Sequence, residues 1–250
     1  MRRFTIAPDR IAGGRVTFDR EESRHLSRVL RLRPGDTVIA ADGAGRDYTV
    51  RVETVGELAT GTVLGVATRD AESPLRVTLV QSVPKGDKME AIVRAATELG
   101  VARVVPVLTE RTIVSLEPAR WRERARRWQR VAKEAAKQCG RAVVPPVEAP
   151  RPLADFLGAD EPADLRLCLW EGAPHEGERT TLAASLPPSL PRSARVHVLI
   201  GPEGGLSRAE VDAARARAWK VVGMGPRILR TETAGPAIIA VLQNRFGDIT

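Results

Sequence analysis

VHVLIGPEGGLSRAE, residues 196–210, decides how the chain folds. Val196, Val198, Leu199 and Ile200 form an apolar run too short for a helix but right for a buried strand. The run ends in an open glycine turn. Ser207 and Glu210 then have the S-x-x-E spacing of a reciprocal helix cap, so a helix starts there. The order is strand, open loop, helix. A second such unit follows, with a strand over 220–224, the loop GMGPRILRTETA over 223–234, and a last helix. Ala234, Ala237, Ile238, Val241 and Leu242 give that helix one apolar face, with Pro236 expected in its first turn.

Glycine tolerates positive φ and lets a ligand approach the main chain closely. Two glycine loops at the ends of neighbouring strands would line one pocket with backbone N–H and C=O groups. What is missing narrows the ligand. The chain has no G-x-x-x-x-G-K-[ST], which argues against a phosphate-cradling P-loop. Gly201, Gly204 and Gly205 do not fit G-x-G-x-x-G, so a dinucleotide site is also disfavoured. Backbone amides and carbonyls suit a heterocycle such as adenine.

Moving towards the N-terminus, the same architecture continues. VTLVQSV (77–83) is a buried strand. Asp87 and Glu90 have cap spacing, Met89, Ile92, Val93, Ala96 and Leu99 share a helical face, and Gly100 is the stop. VARVVPVL follows as a strand, which completes a β-α-β unit and implies a largely parallel sheet with helices on both faces. LRLCLWEG (165–172) is another buried strand, HEGERTTLAASL a polar loop and short helix, and 143–152 an irregular proline-rich passage. TERTIVS (109–115) follows a strand end, where α/β folds place ligands; Arg111 there faces RNA or the pocket, or pairs with Glu110.

The first seventy residues read differently. Short strands are expected at 3–6, 15–18, 37–41, 48–55 and 61–67. Asp19 with Glu22 caps a helix running to Arg31, with Leu26, Val29 and Leu30 as its apolar stripe. This is a small β domain, and the polar stretch 68–75 is its linker.

Net charge is +8 and the isoelectric point about 10.4, which calls for a polyanionic partner. Lysine occurs only at 85, 88, 133, 137 and 220, so five of the 39 basic residues are Lys and 34 are Arg. Arginine presents a planar fork to phosphates and stacks on bases. Residues 120–141 are the most basic stretch, with nine Lys or Arg against Glu123 and Glu134. Trp121, Trp128, Val131 and Ala135 keep an apolar stripe, so the charges, including Arg122, Arg126 and Arg130, are expected to point outward as a phosphate track. Arg24, Arg28 and Arg31 beside His25 form a second basic strip. Cys139 and Cys168 are too few for a disulfide framework, and His25, His175 and His197 lack metal-ligand spacing, so no metal is expected. No apolar run approaches bilayer length and the N-terminus lacks a signal-peptide core, which points to the cytoplasm.

GPEGGLS followed by MGPRILRTETA resembles the SPOUT class of S-adenosylmethionine-dependent methyltransferases. More closely, it is similar to the bacterial family that methylates N3 of a uridine in 16S ribosomal RNA. KGDKMEAIVRAATELGV (85–101) carries the resemblance too, and RHLSRVLRLRPGD (24–36) more weakly, so it spans essentially the whole chain. The resemblance implies a PUA-like β-barrel over 1–70 and an α/β SPOUT domain over 71–250 with a C-terminal trefoil knot. It also implies a homodimer acting on 16S ribosomal RNA or the 30S subunit, with S-adenosyl-L-methionine as cofactor. Cofactor contacts carried over by the motifs are Leu199, Ile200, Gly201, Gly204, Met224, Gly225, Ile228, Leu229 and Thr233, flanked by Trp170 and Glu171. Arg230 is the candidate for target orientation and charge stabilisation, Glu232 for the base, and Arg227 for RNA contact. Glu203 reads as a hydrogen-bonded loop carboxylate. The rival readings are a non-catalytic ribosomal RNA-binding assembly factor with a vestigial pocket, and a SPOUT enzyme acting on another RNA position.

Overall fold

The computed structural model describes residues 2–69, 71–114, 116–172 and 181–250. The first half of the expected loop-and-helix stretch HEGERTTLAASL, residues 175–180 with His175, lies outside the described residues. The chain divides into two compact units, Met1–Glu72 with Lys133–Val144, and Ser73–Ala132 with Pro145–Thr250. The sequence boundary at residue 70 is near the first of these divisions. The return of 133–144 to the N-terminal unit has no local sequence signature.

In the first unit, β1 (Arg3–Thr5), β2 (Ile11–Ala12), β3 (Arg15–Thr17), β4 (Thr37–Ala41), β5 (Arg46–Thr54) and β6 (Thr60–Thr68) form one sheet in the order β1-β4-β5-β6-β3-β2. The edge strands β1 and β2 are joined by residues 6–10 alone. That short tether brings the sheet's two edges together, although they do not pair. Phe4, Phe18, Leu26, Val38, Val50 and Val52 fill the interior.

Here two sequence expectations are corrected. Helix α1 covers only Arg20–Arg24 and continues as one π-helical turn, His25–Val29. The change of pitch turns Val29 outward, 68% exposed, while Leu26 stays buried. Asp19 does accept the N–H of Glu22, but Glu22 does not return the bond. Its carboxylate takes the N–H of Thr5 (3.1 Å) and the ammonium of Lys137 (2.8 Å) instead. Lys137 therefore points inward, as does buried Arg141, which pairs with Glu72; two of the nine charges expected outward are structural.

The second unit is a six-stranded, fully parallel sheet made of β7 (Arg76–Ser82), β8 (Arg103–Leu108), β9 (Arg151–Pro152), β10 (Leu165–Leu169), β11 (Arg195–Ile200) and β12 (Lys220–Val222). The order is β12-β10-β11-β7-β8-β9. The tiny β9 lies within the passage expected to be irregular. Helices α2 (Lys88–Glu98) and α7 (Thr231–Phe246) pack on each other, and α7 lies on β7 and β11. Side chains alternate along β7. Leu79 abuts Gly235 of α7, whereas Val80 joins the opposite core with α4 (Leu153–Gly158) and α6 (Arg208–Arg215). Helix α3 (Pro118–Cys139) and the short α5 (Leu182–Ser185) complete the elements.

The Ser207–Glu210 cap forms in both directions at the start of α6. The Asp87–Glu90 cap does not form: the Glu90 N–H bonds to the Asp87 main-chain carbonyl at 3.0 Å, and the Glu90 carboxylate pairs with Arg127 of α3 at 2.6 Å. Pro236 sits in the second turn of α7, since that helix begins at Thr231. Among the described residues no helix is long and apolar enough to cross a membrane, and no cluster of His, Cys, Asp or Glu could hold a metal ion.

Candidate active site

Strands β10, β11 and β12 end side by side at Leu169, Ile200 and Val222, and the loops that follow them enclose a cavity of about 640 Å³. It lies at the carboxyl edge of the sheet, where the strand order reverses between β11 and β7, the usual ligand position in open α/β sheets. The first loop supplies Gly201 to Gly205, the second 223–230, and the loop after β10 supplies Trp170 and Glu171.

The glycines of the first loop answer a spatial demand. A Cβ on Gly201 would meet the backbone of Leu206 (N, 2.9 Å) and Gly205 (C, 3.0 Å). Gly205 has φ +68, and a Cβ there would run into the Glu171 carboxylate. The Gly204 carbonyl accepts a bond of 2.7 Å from the Arg111 guanidinium. Arg111 thus helps to shape this loop while the residue stays exposed, and no ion pair joins it to Glu110 among the described residues. The Glu110 N–H binds Glu210 Oε1 (2.8 Å), which fastens the loop after β8 to the capped start of α6.

The two loops are tied beneath the cavity. Thr231 Oγ1 donates to the Gly201 carbonyl (2.7 Å) and accepts from Gln81 Nε2 (2.9 Å). Gln81 also donates to the Ser82 carbonyl at 3.0 Å. Above this tie, Lys88 Nζ stands 2.9 Å from Glu203 Oε1 and 3.5 Å from Glu232 Oε2. Glu232 thus pairs with a lysine rather than an arginine. The carboxylate at Glu203 also takes the Lys85 N–H at 3.1 Å. Burial alone would raise the Glu203 pKa, but hydrogen bonds from Lys88 and from the Glu203 and Lys85 amides outweigh it, leaving it below the usual range. The same contact with Glu203 outweighs desolvation at Lys88 and raises its pKa, so Lys88 stays a cation.

The cavity brings together Ile200, Gly201, Gly204, Met224, Gly225, Ile228, Leu229, Trp170, Glu171, Arg227, Arg230 and Glu232 from the sequence reading. Two residues of that reading lie elsewhere. The Leu199 side chain points away, into the core shared with α4 and α6. Thr233 is exposed on the first turn of α7, where its N–H binds the Arg230 carbonyl (2.8 Å). Arg230 is the residue that precedes α7, with extended backbone and an exposed side chain. Lys88, Gly205, Gln81 and Thr231 belong to the site and were not singled out from sequence, since their partners lie far away along the chain.

Away from the cavity, Arg122, Arg126 and Arg130 are exposed on α3 at four-residue spacing, and no carboxylate among the described residues pairs with them. Arg24, Arg28 and Arg31 are exposed in the first unit. His25 stacks edge-on against Phe4 (5.8 Å) and sits 3.3 Å from Lys137, a packing role. His197 is buried against Phe156 and Trp219; burial, then the positive charge of Arg103, lowers its pKa to about 4. Cys168 is a core thiol pushed up to about 12, chiefly by burial.

Residues 71–243 match the family model for an RNA methyltransferase domain, and 18–59 match an RNA methyltransferase PUA domain. The chain belongs to this RNA methyltransferase family. Within the family it is 36% identical over 244 residues to ribosomal RNA small subunit methyltransferase E of Synechocystis, covering 95% of this chain and 76% of that protein. The Bacillus subtilis protein of the same name is 33% identical, over 86% of this chain and 84% of its own. A solved relative is ribosomal RNA small subunit methyltransferase E from Neisseria gonorrhoeae bound to S-adenosyl methionine. It superposes with a TM-score of 0.87 at 34% identity, over the whole of both chains.

Proposed function

We propose that this chain methylates N3 of a uridine in 16S ribosomal RNA, with S-adenosyl-L-methionine as donor. The observation that carries the reading is the cavity between the two glycine loops. Its walls fit that cofactor in kind. Leu169, Ile200, Val222, Met224, Ile228 and Leu229 offer apolar surface for a purine. Close backbone approach is available at Gly201, Gly204 and Gly225. The names of the Synechocystis and Bacillus relatives support small-subunit ribosomal RNA as the substrate, and the Neisseria structure supports S-adenosyl methionine as the cofactor; uridine N3 rests on the resemblance of the motifs.

When bound, the cofactor supplies an electrophilic methyl group on a sulfonium. The chain's own residues must then hold uridine in line, which accounts for much of the acceleration in such transfers. N3 carries a proton at neutral pH, and negative charge spreads to O2 and O4 as that proton leaves. Exposed Arg230, at the mouth of the cavity, is our candidate for meeting this charge. Glu232, in the first turn of α7, is our candidate for accepting the proton. Leu199 and Thr233 would contribute backbone or outer contacts only. Arg227, the Arg122–Arg126–Arg130 row and Arg24, Arg28 and Arg31 would track phosphates.

The same reading makes the C-terminal segment a trefoil knot. In its support, residues 223–230 leave the edge strand β12 and deliver α7 to the sheet centre, where Thr231 bonds to Gly201. It also makes the enzyme a cytoplasmic homodimer. Val241, 39% exposed on α7, and Ile228, 80% exposed, are the apolar groups that a partner would cover.

Calorimetric titration with S-adenosylhomocysteine, with ATP as control, tests the pocket. Tritium transfer to 30S subunits followed by nucleoside analysis tests the target. We expect binding of the first ligand only and label in 3-methyluridine. No binding and no transfer would leave the assembly-factor reading, and label in another nucleoside would name a different target.

A further inference from the structure

Lys88 is the first residue of α2, where the helix dipole is positive and a cation is unfavourable. Asp87 gives no side-chain cap to offset it. What holds the ammonium there is a pair of carboxylates from two different cavity walls, Glu203 of the first loop at 2.9 Å and Glu232 of α7 at 3.5 Å. All three line the cavity.

The two carboxylates are unequal. Glu203 has donors on both oxygens, the Lys85 N–H at 3.1 and 3.3 Å, and Lys88 besides. Glu232 Oε2 is sealed from solvent and has only the long contact to the Lys88 ammonium, 3.5 Å, among the described residues. A buried carboxylate oxygen with so weak a donor is costly unless something else provides a better one.

We propose that Lys88 is a positioning residue: anchored by Glu203, its ammonium orients the Glu232 carboxylate to accept the proton of the substrate imide N–H. This rests on the reading given under Proposed function. In the step, the N3–H electron pair stays on nitrogen and forms the bond to the methyl carbon. The C–S pair returns to sulfur, and the proton ends on a Glu232 oxygen. The charged groups around Glu232 are Lys88 from α2, Glu203 from the first loop, Arg227 and Arg230 from the second, and Glu171 after β10. Lys88 alone forms an ion pair with Glu232 among the described residues.

The test compares wild type, Lys88→Met and Lys88→Arg as full chains in single-turnover methyl transfer to 30S subunits. Calorimetry with S-adenosylhomocysteine runs in parallel. We expect Lys88→Met to lose about 10- to 100-fold in rate. S-adenosylhomocysteine binding should change far less than the rate, and Lys88→Arg, which keeps the cation, should restore most of the rate. An unchanged rate in Lys88→Met, or a loss confined to ligand affinity, overturns the proposal. If Lys88→Met does not fold, an unchanged rate in Lys88→Gln overturns it equally. Wild type that transfers no methyl group overturns the functional reading instead.

Discussion

Thr231→Val removes one hydroxyl from the floor of the site and keeps the side-chain shape. Thr231 is 6% and Gln81 0% exposed, so neither gains water in exchange. The Gly201 carbonyl loses a 2.7 Å donor and one Gln81 N–H loses a 2.9 Å acceptor. Each group left unpaired costs about 1–3 kcal/mol. The added methyl returns about 0.8 kcal/mol. The net loss should be about 1–5 kcal/mol, which for a protein of this size lowers the melting temperature by roughly 2–20 °C.

The consequence should reach the ligand. Gly201 opens the first loop, and its carbonyl is held only through Thr231 among the bonds described, so the loop loses its link to α7. S-adenosylhomocysteine affinity should fall by about tenfold if 1.4 kcal/mol of that loss falls on the bound loop. Thr231→Ser keeps both hydrogen bonds and should retain affinity at a smaller cost in stability. Thermal melts and calorimetry on the three proteins decide the matter. A Thr231→Val protein that melts within a degree of wild type and binds equally well would refute the coupling of the two loops.

Gly201→Ala should abolish S-adenosylhomocysteine binding, because its Cβ would press on the backbone of Leu206 and Gly205. Gly205→Ala meets first the movable Glu171 carboxylate; its strain at φ +68, about 1–2 kcal/mol, should weaken binding without abolishing it. Calorimetry on the pair tests the order. His197, with a pKa lowered to about 4 by burial, binds its proton less readily when folded than the unfolded residue does near 6.5. Its contribution to stability is therefore present above pH 6.5 and is lost as pH falls towards 4. Between pH 7 and 5 this amounts to about 2 kcal/mol. Urea unfolding of His197→Phe should lack that share of the acid loss. Charge reversal of Arg122, Arg126 and Arg130 should weaken RNA binding and reduce the slope of log K against log salt by about 2. An unchanged slope would clear α3 of phosphate contact.

What the sequence disclosed was local, and what it hid was pairing at long range. The Ser207–Glu210 cap formed because both partners sit within one turn and no stronger partner competes. Two caps of the same spacing failed in part or in whole. Glu22 was claimed by Thr5 and Lys137, and Glu90 by Arg127. In each case a full charge from a distant element pairs with the carboxylate that a cap would turn to a backbone N–H close by, and a spacing rule carries no information about that competition. The glycine loops were legible for the opposite reason. Their requirement is set by backbone approach within a few residues, as the contacts of Gly201 with Gly205 and Leu206 make plain.

The same distinction orders the site itself. Its walls, residues 200–205 and 223–230, are two local motifs and could be read directly. Its working contacts join Gln81 to Thr231, Thr231 to Gly201, and Lys88 to both Glu203 and Glu232. Every one of these crosses between elements that meet only when β7, β11, α2 and α7 pack together. A cofactor pocket made from loops alone would be a set of flexible ends. Fastening both loops to the centre of the sheet and to the start of α2 lets one wall answer to the other. On the proposal above, a change in how the first loop is filled would reach Glu232 through the Lys88 ammonium that both carboxylates share.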